Sequence, residues 1–144
     1  MDNNEIQDID YKKRYLRRYR NNVRCVSRLE NKLYQLTQRI ESVRTASLSG
    51  MPRGGVPITI DELISDKIEL EDRITRQRQK NKRIRSEILD VIDTLDDPRY
   101  CEVLEAYFIE CLSISEIAER EAYTDRHVYR LYEDAIIRLS VPCQ

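Results

Sequence analysis

Along the first third of the chain the apolar residues Val23, Val26, Leu29, Leu33, Leu36, Ile40 and Val43 recur at steps of three and four. That spacing holds them on one stripe of a helix, whereas a strand would need a step of two. Neither Gly nor Pro interrupts residues 1–49. A single helix from about Glu5 to Ala46 is therefore predicted, on the order of 60 Å long at 1.5 Å per residue. The pattern then breaks. SLSGMPRGGVP, residues 47–57, carries all three glycines of the chain and two of its four prolines, which marks a connection. Thr59 followed by Glu62 has the form of a capping box and predicts the start of a second helix.

The second helix has the more regular pattern. Leu63, Lys67, Leu70, Ile74, Gln77, Asn81, Ile84, Ile88, Val91 and Leu95 alternate steps of four and three without a slip, as a heptad seam does. Gln77 and Asn81 make its middle polar, at a cost in stability and with a gain in register. Asp97-Pro98 is expected to end this helix, because the residue before Pro disfavours helical backbone. Two long helices joined by a short loop fold back most simply as an antiparallel hairpin. Residues 1–96 are thus read as a two-helix hairpin with its loop at 47–58. A hairpin alone buries little, so self-association is expected as well.

From Pro98 onward the period persists in shorter pieces. Asp97 and Pro98 suit a cap and a first helical position, and Tyr100, Cys101, Leu104, Phe108 and Cys111 form an apolar stripe. Ser113 or Ser115 can cap a next helix holding Ile117 and Ala118, with Glu121-Ala122-Tyr123 as the turn after it. Thr124 caps a last helix whose Val128, Leu131, Ala135 and Leu139 face inward. About 40 residues make only a small core, so this module is expected to lean on the hairpin or on another subunit. Helix, tight turn, helix, with a small residue at the crossing, is the helix-turn-helix pattern. The fold class is accordingly all-α: a long antiparallel hairpin followed by a small helix-turn-helix domain over residues 97–144.

Composition narrows the function. Charged residues make up 35%, with 25 basic and 26 acidic, and Gly and Pro are scarce, which suits long helices. No apolar run reaches the roughly 20 residues of a membrane span, and the acidic, polar start MDNNEIQDID is unlike a secretory signal. Four scattered cysteines without a CxxC pair, and a single His, suggest reduced thiols in a cytoplasmic protein and no metal site. No cofactor is indicated. Nothing resembles a nucleotide-binding Gly loop or a nucleophile with its base, so an enzyme is not expected.

One stretch carries a resemblance. LEAYFIECLSISEIAEREAYTDRHVYRLYEDAIIRL resembles region 4 of the sigma-70 family, without a gap from Leu112 to Leu139 and including the Ala135-x-x-x-Leu139 ending. With its MPRGG loop (Met51–Gly55) and DDPRY segment (Asp96–Tyr100), nearly the whole chain is similar to small phage and prophage proteins of Gram-positive bacteria. The late-gene regulators RinA and ArpU have similar C-terminal halves. The family usually places Leu-Gly in the turn, where this chain has Glu121-Ala122, and Cys111 stands where a helix-ending Gly is common.

The resemblance implies that the final helix enters the major groove of double-stranded DNA, with Thr124, Asp125, Arg126, His127, Tyr129 and Arg130 at its reading end. Arg can hold guanine through two hydrogen bonds and Asp can accept from cytosine. The bland counterpart is a solvated helix face pairing with its own carboxylates. Charge poses a difficulty, since Glu110–Leu139 holds seven acidic residues against four arginines and DNA affinity comes largely from phosphate neutralisation. Basic runs lie elsewhere, at KKRYLRRYR (Lys12–Arg20) and RQRQKNKRIR (Arg76–Arg85), while Asp61–Asp72 and Glu87–Glu105 are acidic. Folding the hairpin about its loop brings Arg20 near Ser86, so Arg17, Arg18, Arg83 and Arg85 are candidates for gripping phosphate. Tyr11, Tyr15 and Tyr19, at four-residue steps, read as a packed helix face, with stacking on bases as the alternative.

The resulting expectation is a DNA-binding regulator, an activator of phage or prophage genes, working as a dimer or higher oligomer in the bacterial cytoplasm. Contact with bacterial RNA polymerase is implied by the resemblance alone. The alternatives are a module that binds polymerase or another protein without DNA, and a packaging protein of the small-terminase type.

Overall fold

A computed structural model describes residues 2–48 and 59–143. The chain is all-helical, with α1 Asn3–Leu48, α2 Ile60–Ile92, α3 Pro98–Phe108, α4 Ile114–Glu121 and α5 Asp125–Arg138. Helix α1 runs through residues 47 and 48, which the sequence assigned to the connection, and residues 49–58 with the MPRGG motif lie outside the described residues. Thr59 caps α2 as expected, its hydroxyl accepting from the Glu62 N–H at 3.4 Å. Arg18 meets Glu87 and Glu30 meets Arg78, so residue numbers fall along α2 as they rise along α1 and the two helices run antiparallel.

The chain divides into two compact units, Met1–Asn22 with Asn81–Gln144, and Val23–Lys80. The boundary expected between residues 96 and 97 lies inside the first unit. Within the second unit, Val26, Leu29, Ile40, Leu63 and Ile74 are buried between the paired helices, and Leu33, Leu36, Val43 and Leu70 are half-buried beside them. Every described position of the predicted seam, from Leu63 to Leu95, is buried or half-buried.

The first unit holds the larger core. Leu16 of α1 and Ile84, Ile88 and Ile92 of α2 join Tyr100, Val103, Leu104 and Phe108 of α3, Ile117 and Ala118 of α4, and Val128, Leu131, Tyr132, Ala135, Ile136 and Leu139. Helices α3, α4 and α5 pack on one another. The module therefore leans on the hairpin, as its small size requires. Tyr15 and Tyr19 pack against this core, and the Tyr11 hydroxyl donates to the Pro142 carbonyl at 2.8 Å. Buried Lys12 donates to the Ile137 carbonyl at 3.2 Å, near the C-terminal end of α5, and pairs with Asp8 at 2.8 Å. A cation at that pole is favoured by the helix dipole.

Two local expectations are corrected, and one open alternative, the cap of α4, is resolved. Helix α2 stops at Ile92, short of Asp97: the Thr94 hydroxyl donates to the Val91 carbonyl at 2.6 Å and the Leu95 N–H to the Ile92 carbonyl, a tightening that ends the helix. Ser113, not Ser115, caps α4, accepting from the Glu116 N–H at 3.1 Å. Glu121 belongs to α4, so the turn begins at Ala122.

Candidate nucleic-acid interface

The geometry of the C-terminal module is set by its caps. Asp97 accepts from the Arg99 N–H at 2.9 Å and also holds the Arg99 guanidinium, while Pro98 opens α3 with a preset φ. These hydrogen bonds from Arg99 hold the Asp97 carboxyl below its ordinary value. Helix α4 ends with Ala122 in left-handed backbone, φ 56° and ψ 39°. The Tyr123 N–H reaches the Ala118 carbonyl and the Ala122 N–H reaches that of Glu119, the two bonds of a Schellman ending. At Glu121-Ala122 the chain thus forms a tight left-handed turn without glycine. Glu121, half-buried, accepts from Arg120 at 3.2 Å. The Thr124 hydroxyl then accepts from the His127 N–H at 3.2 Å and starts α5.

The sequence-predicted reading residues lie together at the start of α5, in differing roles. Thr124 is exposed, with its hydroxyl spent on the cap. Asp125 accepts from the Ser115 hydroxyl at 2.8 Å, which ties α5 to α4. His127 is half-buried, its ring edge-on to Tyr123 at 4.7 Å between centroids. Tyr129 is 50% exposed, and a hydrogen bond to Glu133 and that carboxylate's charge raise its phenol above the ordinary value. Arg126 and Arg130 are exposed, and neither has an ion pair or a hydrogen-bond partner for its guanidinium among the described residues. Arg120, by contrast, is held by Glu110 and Glu121.

The four candidate phosphate contacts separate. Arg18 is committed to Glu87 at 3.0 Å, to the Tyr15 carbonyl and to the Tyr15 ring. Arg85 is exposed and its charge acts on Glu105, whose carboxyl is raised by burial and then by Asp93 and Glu110. Arg83 is exposed. Arg17 reaches the α5 side. It acts by charge and hydrogen bond on Tyr132, whose phenol burial and neighbouring Tyr107 push up to about 12.

Two residues outside the four phosphate candidates stand with Arg17. The Lys13 ammonium lies 5.9 Å from the Tyr132 ring centre, and the Arg20 guanidinium 4.5 Å from that of Tyr107. Lys13, Arg17 and Arg20 fall at steps of four and three, one stripe of α1. That periodicity was available in KKRYLRRYR, but the rings that receive the stripe come from α3 and α5. Tyr107 packs edge-on to Tyr132 at 5.0 Å, and Tyr132 stacks with Tyr129 at 6.2 Å. A ladder of rings therefore joins the α1 cations to the exposed face of α5.

Comparison with protein families, with curated proteins and with solved structures finds no match. Among the described residues no cluster of His, Cys, Asp and Glu is arranged to hold a metal ion, and no helix is long and apolar enough to cross a membrane.

Proposed function

We propose that this chain is a sequence-specific regulator that binds double-stranded DNA, of the phage or prophage type that its C-terminal segment resembles. The reading rests on one observation: among the described residues, Arg126 and Arg130 stand unpaired on the exposed face of a capped helix that follows a tight turn. In a chain with so many carboxylates, guanidiniums left without partners are available for bidentate contact with guanine. Asp125, bound to Ser115, orients the start of the helix. A single helix reads few base pairs, so a dimer on two half-sites is part of the proposal.

The test is selection of duplexes from a random library at about 150 mM salt, a physiological ionic strength. An enriched motif is expected, and Arg126→Ala and Arg130→Ala are each expected to relax one position of it, at about 1–3 kcal/mol of discrimination. Absence of any enriched sequence would reject the reading. The rival is a module that docks a protein such as RNA polymerase. The acidic side of α3, where burial first and then the charges of Asp93 and Glu110 raise the Glu105 carboxyl, favours it. It predicts retention of polymerase by a variant that has lost both arginines.

A further inference from the structure

The stripe Lys13, Arg17 and Arg20 is a different surface from the α5 face, and its construction says what it holds. Long cationic side chains on a helix ordinarily move freely, and fixing one at an interface costs about 0.5–1.5 kcal/mol. Here the fixing is done in advance. Lys13 lies over Tyr132, Arg20 lies over Tyr107, and Arg17 acts on the Tyr132 phenol. None of the three is paired with a carboxylate among the described residues, although Lys12 and Arg18 on the adjoining stripes are. A ring accepts a cation without neutralising it, so the charge stays available. Three such charges along about two turns of α1 suit a row of anions, as a nucleic-acid backbone presents.

We infer that Lys13, Arg17 and Arg20 form a ring-braced grip for DNA phosphates, the sequence-independent half of a surface whose reading half is the start of α5. The inference rests on the DNA-binding reading above and adds which cations supply affinity. It also answers the charge difficulty: phosphate is neutralised from α1, so the acidic module need not carry a basic footprint of its own. Arg18, paired with Glu87, falls outside the grip.

The experiment uses the full chain and a fluorescent duplex of mixed sequence, so that it does not depend on knowing the operator. Affinity is followed by anisotropy from about 50 to 200 mM salt, where each neutralised phosphate adds about 0.9 to the slope of log K against log salt. Lys13→Gln, Arg17→Gln and Arg20→Gln together keep stems that can pack on the rings. They are expected to lower the slope by about 2 to 3. A control of equal charge change, Arg24→Gln, Arg28→Gln and Lys32→Gln on exposed positions of the other unit, is expected to leave it unchanged. Should the triple variant melt, Arg17→Gln alone is expected to lower the slope by about 0.9. A native chain that binds, with no fall in slope in the grip variants, overturns this inference and leaves the α5 reading standing. An equal fall in the control overturns it too, since only net charge would then matter. No binding of the native chain to duplex even at 50 mM salt removes both readings, and selective binding to RNA or to an acidic protein redirects the grip away from DNA.

Discussion

Cys111 and Ala122 hold left-handed backbone at φ 60° and 56°, and neither has glycine's freedom there. For a residue with a Cβ that region costs about 1–2 kcal/mol, because Cβ crowds the following carbonyl. Glycine avoids the crowding but gives up about 0.5–1 kcal/mol of extra unfolded-state entropy. Both positions end helices: the Leu112 N–H returns to the Ala106 carbonyl past Cys111, and the Tyr123 N–H to the Ala118 carbonyl past Ala122. Ala122→Gly should therefore stabilise the chain by about 1 kcal/mol, the strain relieved exceeding the entropy lost. Cys111→Gly should gain less, because the half-buried side chain also donates to the Ile109 carbonyl at 3.7 Å. Urea midpoints at constant m-value measure both changes. A lower midpoint for Ala122→Gly would mean that the turn carries no strain. The proposed DNA binding should survive both substitutions, since the turn keeps its shape and only its strain is relieved.

At the scale of the helices, the seam of α2 was legible because its heptad step demands a continuous partner, and α1 supplies one. What escaped was anything that depended on a third element. Ile92 and Ile136 lie outside the stripes read from the sequence, yet are fully buried, because α2 and α5 each face more than one neighbour. Tyr132, only 5% exposed, was hidden for the same reason. The exposed face of α5 proposed to read DNA could be located from the Thr124 cap and the apolar period. The partners of its flanking cations could not, since Lys13 and Tyr132 are far apart in sequence and a cation over a ring leaves no periodic trace. Asn81 shows the opposite, a feature readable from the seam alone. It is 9% exposed, and its Oδ1 is buried without a hydrogen-bond partner among the described residues. An orphaned buried acceptor costs about 1–3 kcal/mol. Asn81→Leu should raise the denaturation midpoint by an amount equivalent to about 1 kcal/mol or more. The gain should come with weaker register, because a leucine seam accepts a shifted pairing that a buried amide penalises. If the midpoint falls instead, the amide nitrogen of Asn81 holds a contact worth more than the orphaned oxygen costs.

For the molecule as a whole, a net charge of −1 is the sum of separated fields, and the half-site argument asks for a second copy. The unit Val23–Lys80 is where that copy is expected. Two helices cover only one side of each other, and there Leu33, Leu36 and Leu70 are half-buried while Tyr34 and Ile68 are 67% and 61% exposed. Large apolar side chains this open on paired helices are normal when single and informative when they accompany an incompletely covered seam. Sedimentation velocity at micromolar concentration should give the mass of a dimer or higher oligomer. Tyr34→Glu with Ile68→Glu should shift it toward the monomer without loss of helical signal. DNA binding should then weaken through lost avidity, since two linked modules bind more tightly than either alone. Its salt slope per chain should stay the same, because Lys13, Arg17 and Arg20 belong to the other unit. If the native chain sediments as a monomer at every concentration, the half-site picture fails, and the specificity measured in the duplex selection has to come from one copy of α5 and its flanking cations.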